Sequence, residues 1–585
     1  YVDKLIAYED PANFDRWRDK IMYVADDGWT TENTLGQEGS LHTGQCEDVA
    51  ENHTPKFFFF LKVYIVAYPA VYTPQGRRKP DVNPVIVNGW NEGRLVINYT
   101  GHGSTDLWAH EHIFERQVSI PLLNNKNRYT FLTIASCDLA RWDDPYGISA
   151  AEQLINESNK GAIGVVAAVR PVYAAPNATF NNLFWDNFTF LKDTLNLPIR
   201  IGKAMFNTKQ NLFQDNDLKF SLICDPSLRI GIPQYFTKID SLNGPLGLDT
   251  AKLKALQKIR IAGSVLRPDS TFWADYNGTI NLKVLDVDKQ IHIEDFGYPF
   301  DFRLDGGTIF TGRANVVNGK WSVEFIVPKD ISYSTGNGKI LAYFKNSSSD
   351  GVGYTNQFTI NGIDSTAVPD TTGPTVNIYL DSRNFRNGDL VNQSPKIIAD
   401  FYDQFGMNLT GTIGHKIEAT LNNNEQNKID LTPYFNTTGG YQNGTVEYQL
   451  QNLPAGKNTL SIKAYDTYNN YAVKTIEFNV QSSSNLTLEN VYNYPNPMKS
   501  ATSFVFNHNF DKPLNATIKI YTVSGRLIKE LNKTGITDKF VMLDWDGRDS
   551  DGDAIANGTY IYKLTIKSED GTISQSNVNK LAKLQ

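Results

Sequence analysis

Five apolar runs before Pro233 restrict this chain more than any other feature: KIMYVADDG, FFFFLKVYIVAY, GRLVINYTGHG, YTFLTIASC and GAIGVVAAV. They lack polar–apolar alternation, end in polar or Gly-rich turns, and are separated by helical patterns such as GISAAEQLINES. A strand apolar on both sides has to be covered on both sides. The pattern therefore predicts a mostly parallel sheet between helices. Ligands of such sheets bind beyond the carboxyl ends of the strands, where ADDG, TGHGS and ASCD fall. The richest run, Phe57 to Tyr68, is broken by Lys62 and is shorter than the roughly 20 residues that cross a bilayer.

After about Ile232 the pattern changes to alternation, as in TINLKVLDV, KWSVEFIV and TLSIKAYD, with Asn-Gly turns at Asn277, Asn318 and Asn443. This is the signature of antiparallel sandwiches. DSTAVPDTTGPT (364–375) and NVQSSSNLT (479–487) read as linkers. The expected organisation is multidomain: an α/β lobe over residues 1–232, then all-β sandwiches over 233–368, 369–482 and 483–585. A length of 585 residues suits about three to five domains. The net charge of −7 is small and dispersed, so no nucleic-acid surface is expected. The chain opens at Tyr1 inside a helical pattern (Val2, Leu5, Ile6), which is read as a processed or truncated product. Three cysteines, Cys46, Cys137 and Cys224, make no disulfide framework and no metal spacing.

Two strand ends carry chemistry. TGHGS flanks His102 with Gly101 and Gly103, and the next run ends at Cys137. A thiol is a weak nucleophile until a base takes its proton. Histidine suits that task and can then protonate a leaving amine. The Gly103 N–H is free to approach an oxyanion, and the Cys137 N–H offers a second donor. Asp26 and Asp27 in VADDG are the candidates to orient the imidazole. Taken singly, such a cysteine reads as a small buried hydrophobe and such a histidine as a surface residue.

These residues resemble the caspase-type arrangement of cysteine peptidases, and more narrowly the gingipain family. KLIAYEDPANFDRWRDKIMYVADDG, the stretch from KVYIVAYP to GRLVINYTGHGSTDLWAHE, LTIASCDLARWDDP and FSLICDPSLRIGIP are all similar to segments of that family's peptidase domain. PDVN, WAHE and VRPVYAAPN are most similar to the cell-surface sortases of the type IX secretion system. VYNYPNPMKSATSFVF and LDWDGRDSDGDAIANGTYIYKL resemble that system's C-terminal signal domain. The resemblance implies a caspase-like lobe with Cys137 as nucleophile, His102 as general base and acid, and Asp27, rather than Asp26, as the third member. Gly103 and Cys137 would form the oxyanion hole. Thr105 stands where gingipains carry Glu, and Val66-Ala67-Tyr68-Pro69 replaces their Asp-Ala-Tyr-Pro. The family's first lobe, expected before the AYE helix, was either cut away or lies outside this sequence; if it is absent, a sheet edge is expected to be exposed.

The implied activity is transpeptidation at the outer-membrane surface of a Bacteroidota-type bacterium. C-terminal signal domains would be cleaved from cargo proteins and the cargo joined to anionic lipopolysaccharide. The expected partners are that cargo, the outer-membrane shuttle protein and other components of the system. A secreted gingipain-like endopeptidase and a non-enzymatic adhesin are the alternatives. No cofactor is required and no metal site is assigned, although a structural calcium ion is compatible with the family. Asp549, Asp551 and Asp553 imitate a calcium loop but lack its glycine and its closing Glu, so a hairpin turn is expected. WAHEHIF reads as a helical, partly exposed surface carrying His110 and His112. Asn98 and Asn277 match Asn-x-Ser/Thr by chance.

Overall fold

The computed structural model describes residues 1–584 apart from 31–37, 75, 249, 296–297, 333–334, 413, 439, 481–487, 509, 511–512 and 569–573. The chain divides into two compact units.

In the first unit the apolar runs become strands β1 (Lys20–Ala25), β2 (Phe59–Tyr64), β3 (Val96–Thr100), β4 (Thr130–Ala135) and β5 (Ala162–Ala168), with β6 (Phe220–Ile223) closing the sheet. Their order is β2-β1-β3-β4-β5-β6. The first five run parallel and β6 is antiparallel. Both faces are covered, as the absence of alternation requires. Ile21, Tyr23 and Ala25 enter one core with helices α2 (Leu41–Asn52), α5 (Ala174–Phe190) and α6 (Ile201–Asn211). Met22 and Val24 enter the other with α3 (Val82–Asn91) and α4 (Ala150–Asn156). The opening helix α1 (Val2–Glu9) is where the sequence pattern put it, and its buried Lys4 Nζ donates to Leu154, Ile155 and Glu157 carbonyls at the end of α4. A cation there complements the helix dipole. The chain reverses direction across the sheet between β1 and β3, the point at which such sheets open a crevice.

Strand β2 is the sheet's edge, and Lys62 in its middle is held by Glu47 at 2.7 Å and Glu51 at 2.8 Å, both on α2. A charge there discourages foreign strands from pairing. The remainder of the first unit is β, with a seven-stranded sheet from Tyr235 to Thr355. Its hairpin (Lys289–Asp295 with Tyr298–Leu304) inserts Phe302 into the α/β core, 5.1 Å from the Tyr64 ring. The apolar side of the edge is thereby covered. Arg18 binds the buried Asp350 of the seven-stranded sheet at 3.0 Å, and Tyr343 donates to the same carboxylate at 2.8 Å.

In the second unit, a four-stranded and a five-stranded sheet enclose one core between Thr375 and Val480. A three-stranded and a four-stranded sheet enclose another between Leu488 and Lys583. Residues 364–374 contain no strand. Most of the second expected linker, 481–487, lies outside the described residues. The Asp549 carboxylate accepts the N–H groups of Asp551 at 3.1 Å and Asp553 at 2.9 Å, which makes the calcium-like motif a turn closed on its own backbone.

Asp370, Asp403 and Asp466 converge in this unit, with Asp403 and Asp466 buried. Burial pushes Asp403 up to about 6 and Asp466 up to about 7. Groups that hold protons more tightly when folded lend stability at low pH and lose it as pH rises. The melting temperature of the wild-type second unit relative to Asp466→Asn is therefore expected to be higher near pH 4 than near pH 7. Calorimetry at both values checks this, and a pH-independent difference would refute it.

Candidate active site

The parallel pairing of β3 with β4 sets Thr100 opposite Ala135. His102 and Cys137 each lie two residues beyond these partners, in the loops that leave neighbouring strand ends, and adjacent strands are spaced about 4.8 Å apart. The Gly101 N–H still reaches the Ala135 carbonyl at 3.3 Å. After Cys137 the chain turns sharply, with Asp138 at φ 55°. Asp tolerates that left-handed conformation better than most residues.

Both glycines around His102 are demanded by close approach. A Cβ at Gly101 would overlap the Asp26 side chain and lie 2.7 Å from Tyr99 Oη. One at Gly103 would overlap Ser136 Oγ and lie 3.2 Å from the Leu107 carbonyl. Gly103 bridges to Trp108, but the hydrogen bonds of that bridge run from Ala109 N to His102 O (2.9 Å) and from Ser104 N to Leu107 O (3.1 Å). In an antiparallel ladder this is a non-hydrogen-bonded pair, so the Gly103 N–H takes no part in it.

The imidazole has a partner that the sequence did not single out. His102 Nε2 lies 2.7 Å from Glu38 Oε2, and His42 Nε2 lies 3.0 Å from the same oxygen. The hydrogen bond to Glu38 raises the His102 pKa against the opposing effect of burial. The two imidazoles hold Glu38 well below the usual carboxylate range. His110 packs on the other side of the ring, 4.8 Å between centroids, and burial lowers its pKa.

Asp27, expected as the imidazole's partner, is engaged elsewhere. Its carboxylate pairs with Arg77 at 2.8 Å and Lys79 at 2.7 Å. Burial would raise its pKa, but the hydrogen bonds and charges of these two cations outweigh burial and hold it down. Asp26 supports the loop through its backbone: Oδ2 accepts the His102 N–H and Oδ1 the Asp27 N–H, each at 2.9 Å. Burial, then the charges of Glu111 and Asp27, push Asp26 well above the ordinary range. Glu111 completes the layer by pairing with Arg77, and its own pKa is raised by burial and by Asp27. WAHEHIF is correspondingly no helix. It is the turn of a hairpin (Leu107–Trp108 with Phe114–Glu115), with Ala109 at φ 59° and His112 at φ 58°, and Glu111 is buried.

Cys137 Sγ lies 3.4 Å from both the carbonyl and the N–H of Val172, and burial raises its thiol pKa. Cys46 and Cys224 are free thiols that burial pushes up to about 12. Asn98 is fully buried in β3, bonded by Thr133 and Asn181. The sequence pattern assigns no role to Glu38, Arg77 or Lys79, and it places Glu111 only between His110 and His112 on a partly exposed surface. The i, i+4 spacing of Glu38 and His42 and the short basic run Arg77-Arg78-Lys79 were the available signals.

Gly103→Ala is expected to destabilise the first unit by about 1–3 kcal/mol through overpacking. Adding Ser136→Ala should restore part of that, because Ser136 Oγ is the first atom struck and has no hydrogen-bond partner among the described residues. Denaturant titration of the single and double variants checks this. Equal losses in both would refute the steric account.

Dimeric latent PorU from Porphyromonas gingivalis is similar to this chain at 25% identity and TM-score 0.31, over 73% of this chain and 41% of that one. The complex of the RgpB pro- and mature domains from the same organism is similar at 17% identity and TM-score 0.32, over 62% and 73%. The chain thus spans well under half the length of the PorU structure. No curated protein matches it. Residues 1–231, the α/β region, match the family model of peptidase family C25.

Proposed function

We propose that the chain is a gingipain-type cysteine transpeptidase, with its α/β lobe arranged as in caspase-like enzymes. The observation that carries this is that the His102 and Cys137 loops leave register-aligned ends of adjacent parallel strands, in a region that matches peptidase family C25. Glu38 takes the Nε2 side of the imidazole, which leaves Nδ1 for the thiol. His102 Nδ1 accepts the Cys137 proton, and Glu38 stabilises the resulting imidazolium. The thiolate, deprotonated only as it reacts, attacks the scissile carbonyl. The oxyanion receives the N–H groups of Gly103 and Cys137. His102 returns the proton to the departing amine, and the acyl group remains on Cys137 as a thioester. An amine then attacks this thioester, giving an amide and freeing the thiol.

In this reading the acyl donor is a cargo protein carrying a C-terminal signal domain, and the acceptor is an amine on anionic lipopolysaccharide at the outer-membrane surface. The all-β modules serve as spacers or docking elements toward the shuttle protein and other secretion components, with the last resembling a retained signal domain. A structural calcium ion is compatible with this reading, without assigned ligands. If water replaces the amine, the same site is an endopeptidase.

Incubation of the chain with a model cargo and a small primary amine is expected to give a cargo–amine amide by mass spectrometry. Cys137→Ala should give none. A Cys137-dependent free carboxylate as the sole product would move the assignment to hydrolase, and an inert wild type would favour the adhesin. The two acids should separate in kinetics. Glu38→Gln is expected to lower kcat about 10–100-fold with KM little changed. Asp27→Asn should instead cost about 3–5 kcal/mol of stability, because it strips the carboxylate charge from two buried cations. The reverse pattern would restore Asp27 as the orienting acid.

A further inference from the structure

We propose that Glu38, His42 and His102 form a binding site for one divalent cation of the zinc class, and that this cation switches the peptidase off while bound. The site is read from geometry, and only its effect on activity rests on the function proposed above. The three ligating atoms, Glu38 Oε2 and the Nε2 atoms of His42 and His102, lie within 4.8 Å of one another. The carboxylate oxygen is 2.7 Å from one nitrogen and 3.0 Å from the other. Zinc bonds of about 2.0–2.2 Å in a tetrahedron set donor atoms roughly 3.3–3.5 Å apart. The two carboxylate–imidazole contacts need to open by only a few tenths of an ångström to become a coordination set.

Two ligands come from one segment, Glu38 in the turn before α2 and His42 in its first turn, and the third from the end of β3. Two imidazoles and one carboxylate suit zinc and its neighbours better than calcium or magnesium. His42 is nearly fully buried, and its Nδ1 has no hydrogen-bond partner among the described residues, so Nε2 alone ties this ring into the cluster. The side chains of His102 and Glu38 are 31% and 29% exposed, which gives the ion an entry path and a fourth position for water. Arg77 and Lys79 are drawn to Asp27 and Glu111; among the described residues no lysine or arginine pairs with Glu38.

The effect on catalysis follows from proton placement. In the metal-free cluster neutral His102 carries its proton on Nε2, facing Glu38, and its Nδ1 lone pair accepts the thiol proton. A cation on Nε2 takes that lone pair, and the ring proton moves through solvent to Nδ1. The neutral ring keeps one proton throughout, but the nitrogen that served Cys137 is now occupied. The thiol stays protonated and the site is silent. Removal of the ion restores the base with no covalent change.

The test uses the full chain carrying Cys137→Ala, which removes the thiol as a rival ligand, with Co2+ as a spectroscopic probe. One equivalent is expected to bind with the visible absorption of a four-coordinate ion and to be displaced by Zn2+. Adding His42→Gln should weaken binding at least about 100-fold. Glu38→Gln serves as an independent second variant, and circular dichroism checks the fold of each. No stoichiometric binding, or unchanged affinity in a folded variant, would overturn the site. On the Cys137-containing chain, Zn2+ should abolish amide formation and a chelator should restore it. Stoichiometric binding without inhibition would overturn the switch. A chain inactive even without metal would count against the proposed function and leave the binding data standing.

Discussion

The site depends on a register: Thr100 of β3 lies opposite Ala135 of β4. A slip of one residue would exchange the faces of every side chain on the strand. The apolar faces already oppose this, because Ile97 and Tyr99 pack with Leu132 and Ile134 in one core. A second device sits on the other face. Asn98 and Thr133 are register partners, and Thr133 Oγ1 donates to Asn98 Oδ1 at 2.9 Å. Asn181 donates to the same oxygen at 2.8 Å, and Trp185 donates to Thr133 at 3.1 Å. In any other register these polar atoms would be buried without partners, at about 1–3 kcal/mol each. A polar pair inside an apolar sheet thus selects the one pairing that aligns the strand ends from which the His102 and Cys137 loops leave.

Beneath the histidine lies a layer of charge that a hydrophobic core could not supply. Asp26, Asp27 and Glu111 are all buried with Arg77 and Lys79. Three carboxylates against two cations leave one acid in excess; Asp26, which burial pushes well above the ordinary range, pairs with no lysine or arginine among the described residues. It serves instead as an acceptor of two backbone N–H groups, including that of His102. The cations bind the strand end of β1 to the Gly76–Arg78 strand and to the WAHEHIF turn. The loop bearing His102 is therefore held from below by its backbone, while its side chain meets Glu38 above.

Much of this was legible in the sequence. Apolar runs without alternation gave the parallel sheet, and flanking glycines marked His102, because strand periodicity and steric exclusion are local properties. The identity of the imidazole's partner was not legible. Asp27 sits at the right strand end, and the nearest acid in sequence is the natural candidate. What removes it from contention is Arg77, fifty positions away, with Lys79, a pairing that exists only once the fold is made. WAHEHIF was misread for the same reason. Its residues suit a helix, but burying Glu111 against Arg77 requires a turn with two residues in the left-handed region. Long-range ion pairs overrode local preference at both places.

The arrangement around Glu38 has a consequence that follows from its economy. A histidine that must present Nδ1 as a base needs something to fix its tautomer through Nε2, and a carboxylate does this well. Once a second imidazole is bonded to the same oxygen, the group that fixes the tautomer has the donor set of a transition-metal site. The two states compete for one nitrogen, so whatever strengthens the proton's hold on Nε2 weakens the metal's. The 2.7 Å hydrogen bond between Glu38 and His102 Nε2 favours the metal-free arrangement. Binding of a cation then has to overcome that preference. In the proposed reading, the affinity of the site is tied to the same contact that orients the His102 imidazole, and neither can be altered at Glu38 without altering the other.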